Sequence, residues 1–84
     1  METSGTSILD WIRPDLLQLA MHTENKLRQH DPIKGDSWKH CSLGHLEEKL
    51  REEFAEYSAR HTQTELLDMV AIIMMLWNRK REGE

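Results

Sequence analysis

From Pro14 onward, apolar and polar positions alternate with the spacing of amphipathic helices. Leu17, Ala20, Met21 and Glu24 share one face, and the pattern predicts a first long helix from about Pro14 to about Gln29, opened by a proline in its first turn. Ahead of it, Ser7–Ile12 is long enough for one short helical turn, and Met1–Thr6 is small, polar and expected to be disordered. The stretch 30–41 contains Pro32 and Gly35 and reads as a loop whose apolar anchors are Ile33 and Trp38. Ser42 is an N-cap for a second helix with an apolar stripe of Leu43, Leu46, Leu50, Phe54 and Tyr57. The chain should reverse near Arg60–His61. Thr62 and Glu65 then have the spacing of a capping box, which opens a third helix. From Leu66 to Trp77 that helix has Asp68 as its only charge and is apolar almost all round.

This pattern predicts an all-α fold: a helical hairpin preceded by an N-terminal helix. The 84 residues suffice for a single domain spanning 1–84 and for a small core. Two short helices cannot cover so apolar a third one. A homo-oligomer, a dimer or tetramer in which two hairpins build a four-helix bundle, is therefore expected.

Charge narrows the partners. A net charge of −4 disfavours nucleic acid, whose phosphates attract an excess of Lys and Arg. A nucleotide remains compatible, because a metal ion can carry its phosphates. The one cysteine, Cys41, suits a reducing compartment. No signal sequence is visible, and the longest apolar run, Met69–Trp77, is too short to cross a bilayer. A cytoplasmic protein with no membrane partner is the expectation.

The hairpin carries two pairs of carboxylates, Glu53 with Glu56 and Glu65 with Asp68, separated by an eight-residue spacer. Acids three residues apart stand on one helix face, about 4.5 Å apart along the axis. With the reversal at Arg60–His61, Glu53 lies level with Asp68 and Glu56 with Glu65. Four carboxylates on one seam repel unless cations neutralise them. Asp68 is the most telling, since it sits inside an apolar helix and faces only further acids on the neighbouring arm. All-oxygen ligation favours Mg²⁺, with Mn²⁺ as a substitute, and four acids suit two ions bridging a polyphosphate.

The bland readings are specific. Glu65 is, on that reading, simply a helix cap. Glu47, Glu48 and Glu52 form a solvated face with pairing such as Glu47 to Arg51, although Glu52 could also orient a water. Trp38 is either a lid packed on the bundle or a stacking surface for a ligand. Asn78, Arg79, Lys80 and Arg81 end the third helix where its dipole favours cations, or else touch substrate phosphates. His40, Cys41, His45 and His61 raise the possibility of zinc, but their spacing fits none of its usual patterns.

Glu52-Glu53-Phe54-Ala55-Glu56 followed by Glu65-Leu66-Leu67-Asp68 resembles the ExxE…ExxD signature of the MazG-like all-α nucleoside triphosphate pyrophosphohydrolases. The upstream segments Glu24–Leu27, Lys34–Lys39 and Ser42–Leu43 are similar to the loop region of small, phage-type members. The resemblance covers about Trp11 to Trp77. It implies hydrolysis of a (deoxy)nucleoside triphosphate to the monophosphate and pyrophosphate. Glu53, Glu56, Glu65 and Asp68 would hold Mg²⁺, Lys34 and Lys26 would neutralise phosphate charge, and Trp38 would border the base or ribose. The eight-residue spacer is shorter than in most of that family and requires a tight turn. The wall that a fourth helix supplies there would come from a partner subunit. The rival expectation is a non-catalytic helical-bundle module that keeps the acid cluster as a relic. Such a module should be stabilised by Asp68→Asn.

Overall fold

The computed structural model describes residues 8–83, with the side chains at 8, 9, 33 and 34 outside that description. The expectation for Met1–Thr6 falls outside it too. Among the described residues every regular element is helical: α1 (Ile8–Trp11), α2 (Pro14–Lys34), α3 (Leu43–Arg60) and α4 (Gln63–Arg81), with a 3₁₀ turn at Ser37–Lys39.

Arg13 is extended, with ψ 143°, as a residue before proline must be, and Pro14 opens α2. The helix runs five residues beyond the expected Gln29. Pro32 falls in its last turn, where the missing N–H forfeits a single bond to the Arg28 carbonyl, so it does not stop the helix. The stop comes at Gly35, with φ +50°, whose N–H donates to the Asp31 carbonyl at 3.0 Å. The loop expected at 30–41 therefore shrinks to the segment around the 3₁₀ turn.

The inward face of α2 also differs. Thr23 is buried and Lys26 and Leu27 are half-buried, whereas Ala20, Met21 and Glu24 are exposed. The buried stripe is rotated by roughly a third of a turn from the apolar one. This is tolerated because its polar atoms are satisfied: the Thr23 hydroxyl donates to the Leu19 carbonyl at 2.8 Å, and Lys26 finds an anion on α4.

Ser42 caps α3 as expected, its Oγ accepting from the His45 N–H at 3.0 Å. Leu46 is the most buried apolar residue, and Leu50 and Tyr57 are half-buried, but Phe54 is 56 % exposed. The series 46, 50, 53, 57 has true seam spacing, so Glu53 takes the inward position on that turn and Phe54 stands one step round. On the outer face the ion pairs are Arg51 with Glu48 (3.0 Å) and Lys49 with Glu52 (3.7 Å), in place of the expected Glu47–Arg51.

The reversal lies where the sequence puts it. His61 adopts the left-handed conformation, φ +57°, and its N–H closes α3 on the Tyr57 carbonyl. The capping box is replaced by another arrangement. The Thr62 hydroxyl donates to the Glu65 carboxylate, and Thr62 makes no side-chain bond to the helix backbone.

Helix α4 packs against α3, α2 and the 3₁₀ turn. Its inner row is Glu65, Asp68, Ile72, Met75 and Arg79, alternating steps of three and four, so three of five seam positions are ionic. On the opposite side Leu66, Ile73 and Trp77 are 39, 49 and 62 % exposed. The apolar core is thin, with Leu46, Ala71 and Ile72 its buried members. The radius of gyration, 15.2 Å, exceeds the roughly 12 Å of a compact domain of this length. No helix among the described residues is long and apolar enough to cross a membrane.

Candidate functional site

Glu53 and Asp68 meet across the α3–α4 seam, as the hairpin register predicts. Burial is the first cause that pushes the Glu53 carboxyl above its ordinary value of 4.5. The charges of Asp68 and Glu56, and the hydrogen bond a protonated Glu53 makes to Asp68, add to it, while Lys49 opposes. One of its oxygens, Oε1, is buried without a hydrogen-bond partner. An oxygen in that position can be satisfied by a proton, a water or a cation.

Asp68 is not faced only by acids. Lys26 reaches it from α2, Nζ to Oδ1 at 3.3 Å, and both side chains are largely covered. Register between the two arms of the hairpin does not reveal this partner, because Lys26 comes from the first helix and from a face of it that apolar periodicity does not mark. Lys26 thus neutralises a carboxylate within the protein.

The other two acids do not join the pair. Glu65 is buried, accepts from Thr62 and lies 3.6 Å from the Arg60 guanidinium, so its charge is engaged at the hairpin turn. Glu56 is exposed and acts on Glu53 only through its field. Glu52 is exposed and pairs with Lys49. Among the described residues no three His, Cys, Asp or Glu side chains come together in a set that would hold a metal ion. The zinc alternative gains nothing: His40 and His61 are exposed, and His61 belongs to the hairpin turn. A hard divalent cation does suit the Glu53–Asp68 pair in donor type, since both offer oxygen and Glu53 Oε1 lacks a partner.

The pair lies on the wall of an open cleft of about 400 Å³ between α2, α3, α4 and the 3₁₀ turn. Leu46, Ile72 and Met75 give it an apolar interior, and Trp38 borders it. His30, Asp31 and Lys49 also line it, and no motif in the sequence marks them. His30 and Asp31 belong to the part of α2 expected to be loop, and Lys49 to the face of α3 expected to be solvated.

Trp38 is half-buried and borders a second hollow of about 350 Å³, shared with Asn78 and Arg81. Asn78 donates to the Met74 carbonyl at 2.9 Å and accepts from Arg81 at 2.7 Å. Arg79 is 7 % exposed, and its Nη1 donates to the carbonyls of Trp38 (2.9 Å) and Cys41 (2.7 Å). Arg79 is thus engaged with backbone carbonyls of the turn, a role that neither expectation for it included. The Lys34 side chain lies outside the described residues.

Compared with protein-family models, curated proteins and solved structures, the chain matches none.

Proposed function

We propose that the protein is a Mg²⁺-dependent pyrophosphohydrolase that converts a (deoxy)nucleoside triphosphate and water to the monophosphate and pyrophosphate. It would act as a cytoplasmic homo-oligomer. The observation that carries this reading is the convergence of Glu53 and Asp68, one from each arm of the ExxE…ExxD hairpin, on a cleft bordered by Trp38. The cleft is of the size of ligand pockets, apolar inside and anionic at one wall, which suits a base in the interior and metal-borne phosphates at the acids.

A bound Mg²⁺ supplies charge neutralisation of the phosphates and a more acidic water. Glu53 and Asp68 would hold it, and Mn²⁺ would substitute. Glu56 stands one turn along from Glu53 and adds negative field. Glu65 reaches the ion only by giving up Thr62 and Arg60. Trp38 would offer its ring to the base, and the apolar lining would suit that end of the substrate.

A second reading is favoured by two observations. Asp68 already has a counter-ion in Lys26, and α4 leaves Leu66, Ile73 and Trp77 uncovered. A non-catalytic helical module acting through oligomerisation needs no more than that.

Calorimetric titration with Mg²⁺ and a non-hydrolysable triphosphate analogue separates the two, run beside Asp68→Asn. Metal-dependent nucleotide binding that disappears in the variant supports the hydrolase; a folded protein that binds neither ligand supports the module. The stability of Asp68→Asn does not discriminate, because the change relieves repulsion from Glu53 and also strands Lys26.

A further inference from the structure

We infer that Arg79 is a positioning residue that keeps Trp38 over the cleft, and that the affinity of the cleft for its ligand depends on this latch. The segment between α2 and α3 is anchored at its ends by Gly35, bonded to the Asp31 carbonyl, and by Ser42, the cap of α3. Between them the 3₁₀ turn is held by short-range bonds, from the Lys39 N–H to Asp36 and from the His40 and Cys41 N–H groups to Ser37. Those bonds fix the shape of the turn but not its place on the bundle. Arg79 supplies the place. Its guanidinium, on the last turns of α4, donates to the carbonyls of Trp38 and Cys41, partners 41 and 38 residues away in the chain.

The chemistry suits a latch. Both bonds leave one nitrogen, Nη1, whose two N–H groups are fixed in the guanidinium plane, whereas a lysine ammonium carries its three donors on a rotating head at the end of a flexible stem. Bonds from a charged donor to backbone oxygens are stronger than neutral ones, and here they are buried. The Trp38 carbonyl also lies 3.6 Å from Cys41 Sγ, so the two latched carbonyls belong to one closed turn. Trp38 lines both hollows, so moving the turn opens one side of the cleft. Only molecules with the turn in place present the full cleft, and apparent affinity scales with that fraction.

The test uses the full chain with Trp11 and Trp77 changed to Phe, so that Trp38 is the sole emitter. Arg79→Lys and Arg79→Gln are introduced there, with circular dichroism to confirm the helices. Trp38 emission is expected to move to the red and its acrylamide quenching to rise about twofold in Arg79→Gln, with Arg79→Lys intermediate. Amide exchange at Lys39, His40 and Cys41 should quicken while that of α3 around Leu46 keeps the parent's rate. Unchanged Trp38 emission and quenching in both variants overturns the inference. So does exchange that quickens equally along the whole chain, which marks a merely structural residue. Should Arg79→Gln fail to fold, Arg79→Lys alone decides on the same readouts.

The affinity half rests on the proposed nucleotide site. For the triphosphate analogue with Mg²⁺, Arg79→Gln should weaken binding about tenfold, and in turnover raise KM with little change in kcat. Equal affinity in parent and variant overturns that half. A parent that binds no nucleotide removes the hydrolase reading, while emission and exchange still decide the latch.

Discussion

The Lys26 ammonium of α2 stands 3.3 Å from the Asp68 carboxylate of α4, a contact between the first helix and the second arm of the hairpin. Both side chains are at least two-thirds covered, so the pair lies between a screened surface bridge and a buried one. A double-mutant cycle of Lys26→Met and Asp68→Asn, followed by urea unfolding at neutral pH, should give a coupling of about 1 kcal/mol. Zero coupling would mean that α2 is held by its apolar contacts alone. In the hydrolase reading Lys26 competes with the metal, so Lys26→Met should also tighten Mg²⁺ binding. A phosphate-binding lysine would have the opposite sign and weaken nucleotide binding.

Glu53 carries a pH signature. Its folded-state carboxyl holds the proton more tightly than the unfolded chain does, so the folded state binds more protons in the window that opens at the ordinary value of 4.5 and closes at the raised one. Stability therefore falls as pH rises through that window, and the full cost persists above it. Glu53→Gln does not titrate. Its melting temperature should match the parent's below the window and exceed it at neutral pH, which a series of thermal melts reads directly. A variant less stable than the parent at neutral pH would show that the carboxylate is a net stabilising group.

Ser42 closes the segment that carries Trp38 by accepting the His45 N–H. Ser42→Ala removes that acceptor and should cost about 1 kcal/mol in chemical denaturation. Ser42→Gly should lose only a few tenths. A Ser42→Ala variant as stable as the parent would indicate that the hydroxyl contributes nothing to the cap.

The uncovered row on α4 bears on assembly. Sedimentation of the 9.9 kDa chain should report a dimer or tetramer, and Ile73→Glu should lower the mass toward that of the monomer. A monomeric parent at micromolar concentration would remove the oligomer from the proposal and leave the row for another partner.

The sequence was most informative where a local signal decides. The reversal at Arg60–His61, the Ser42 cap and the meeting of Glu53 with Asp68 follow from local turn and cap chemistry and from hairpin register, which need no knowledge of α2. It was least informative where a distant residue settles a local charge. Lys26 satisfies Asp68, and Arg79 satisfies the carbonyls of Trp38 and Cys41, both across long stretches of chain. Apolar periodicity misplaced the inner face of α2 because Thr23 and Lys26 are buried by partners and not by hydrophobicity. The same cause put Phe54 on the seam. An apolar pattern ranks Phe above Glu, yet the geometry of α3 gives the inward position to Glu53.

Two residues, His61 and Thr62, separate α3 from α4, while the latch from Arg79 to the turn spans about half the chain. Contacts near in sequence cost little entropy to close, and distant ones cost more. On loop-closure cost the hairpin should assemble first and open last, with α2 and the 3₁₀ turn docking afterwards, an order that amide exchange along the chain would read. The acid-bearing wall belongs to the durable part, and the wall bearing Trp38 to the part that departs most readily. Access to the cleft can then be governed by undocking at one side, without unravelling the seam on which Glu53 and Asp68 stand.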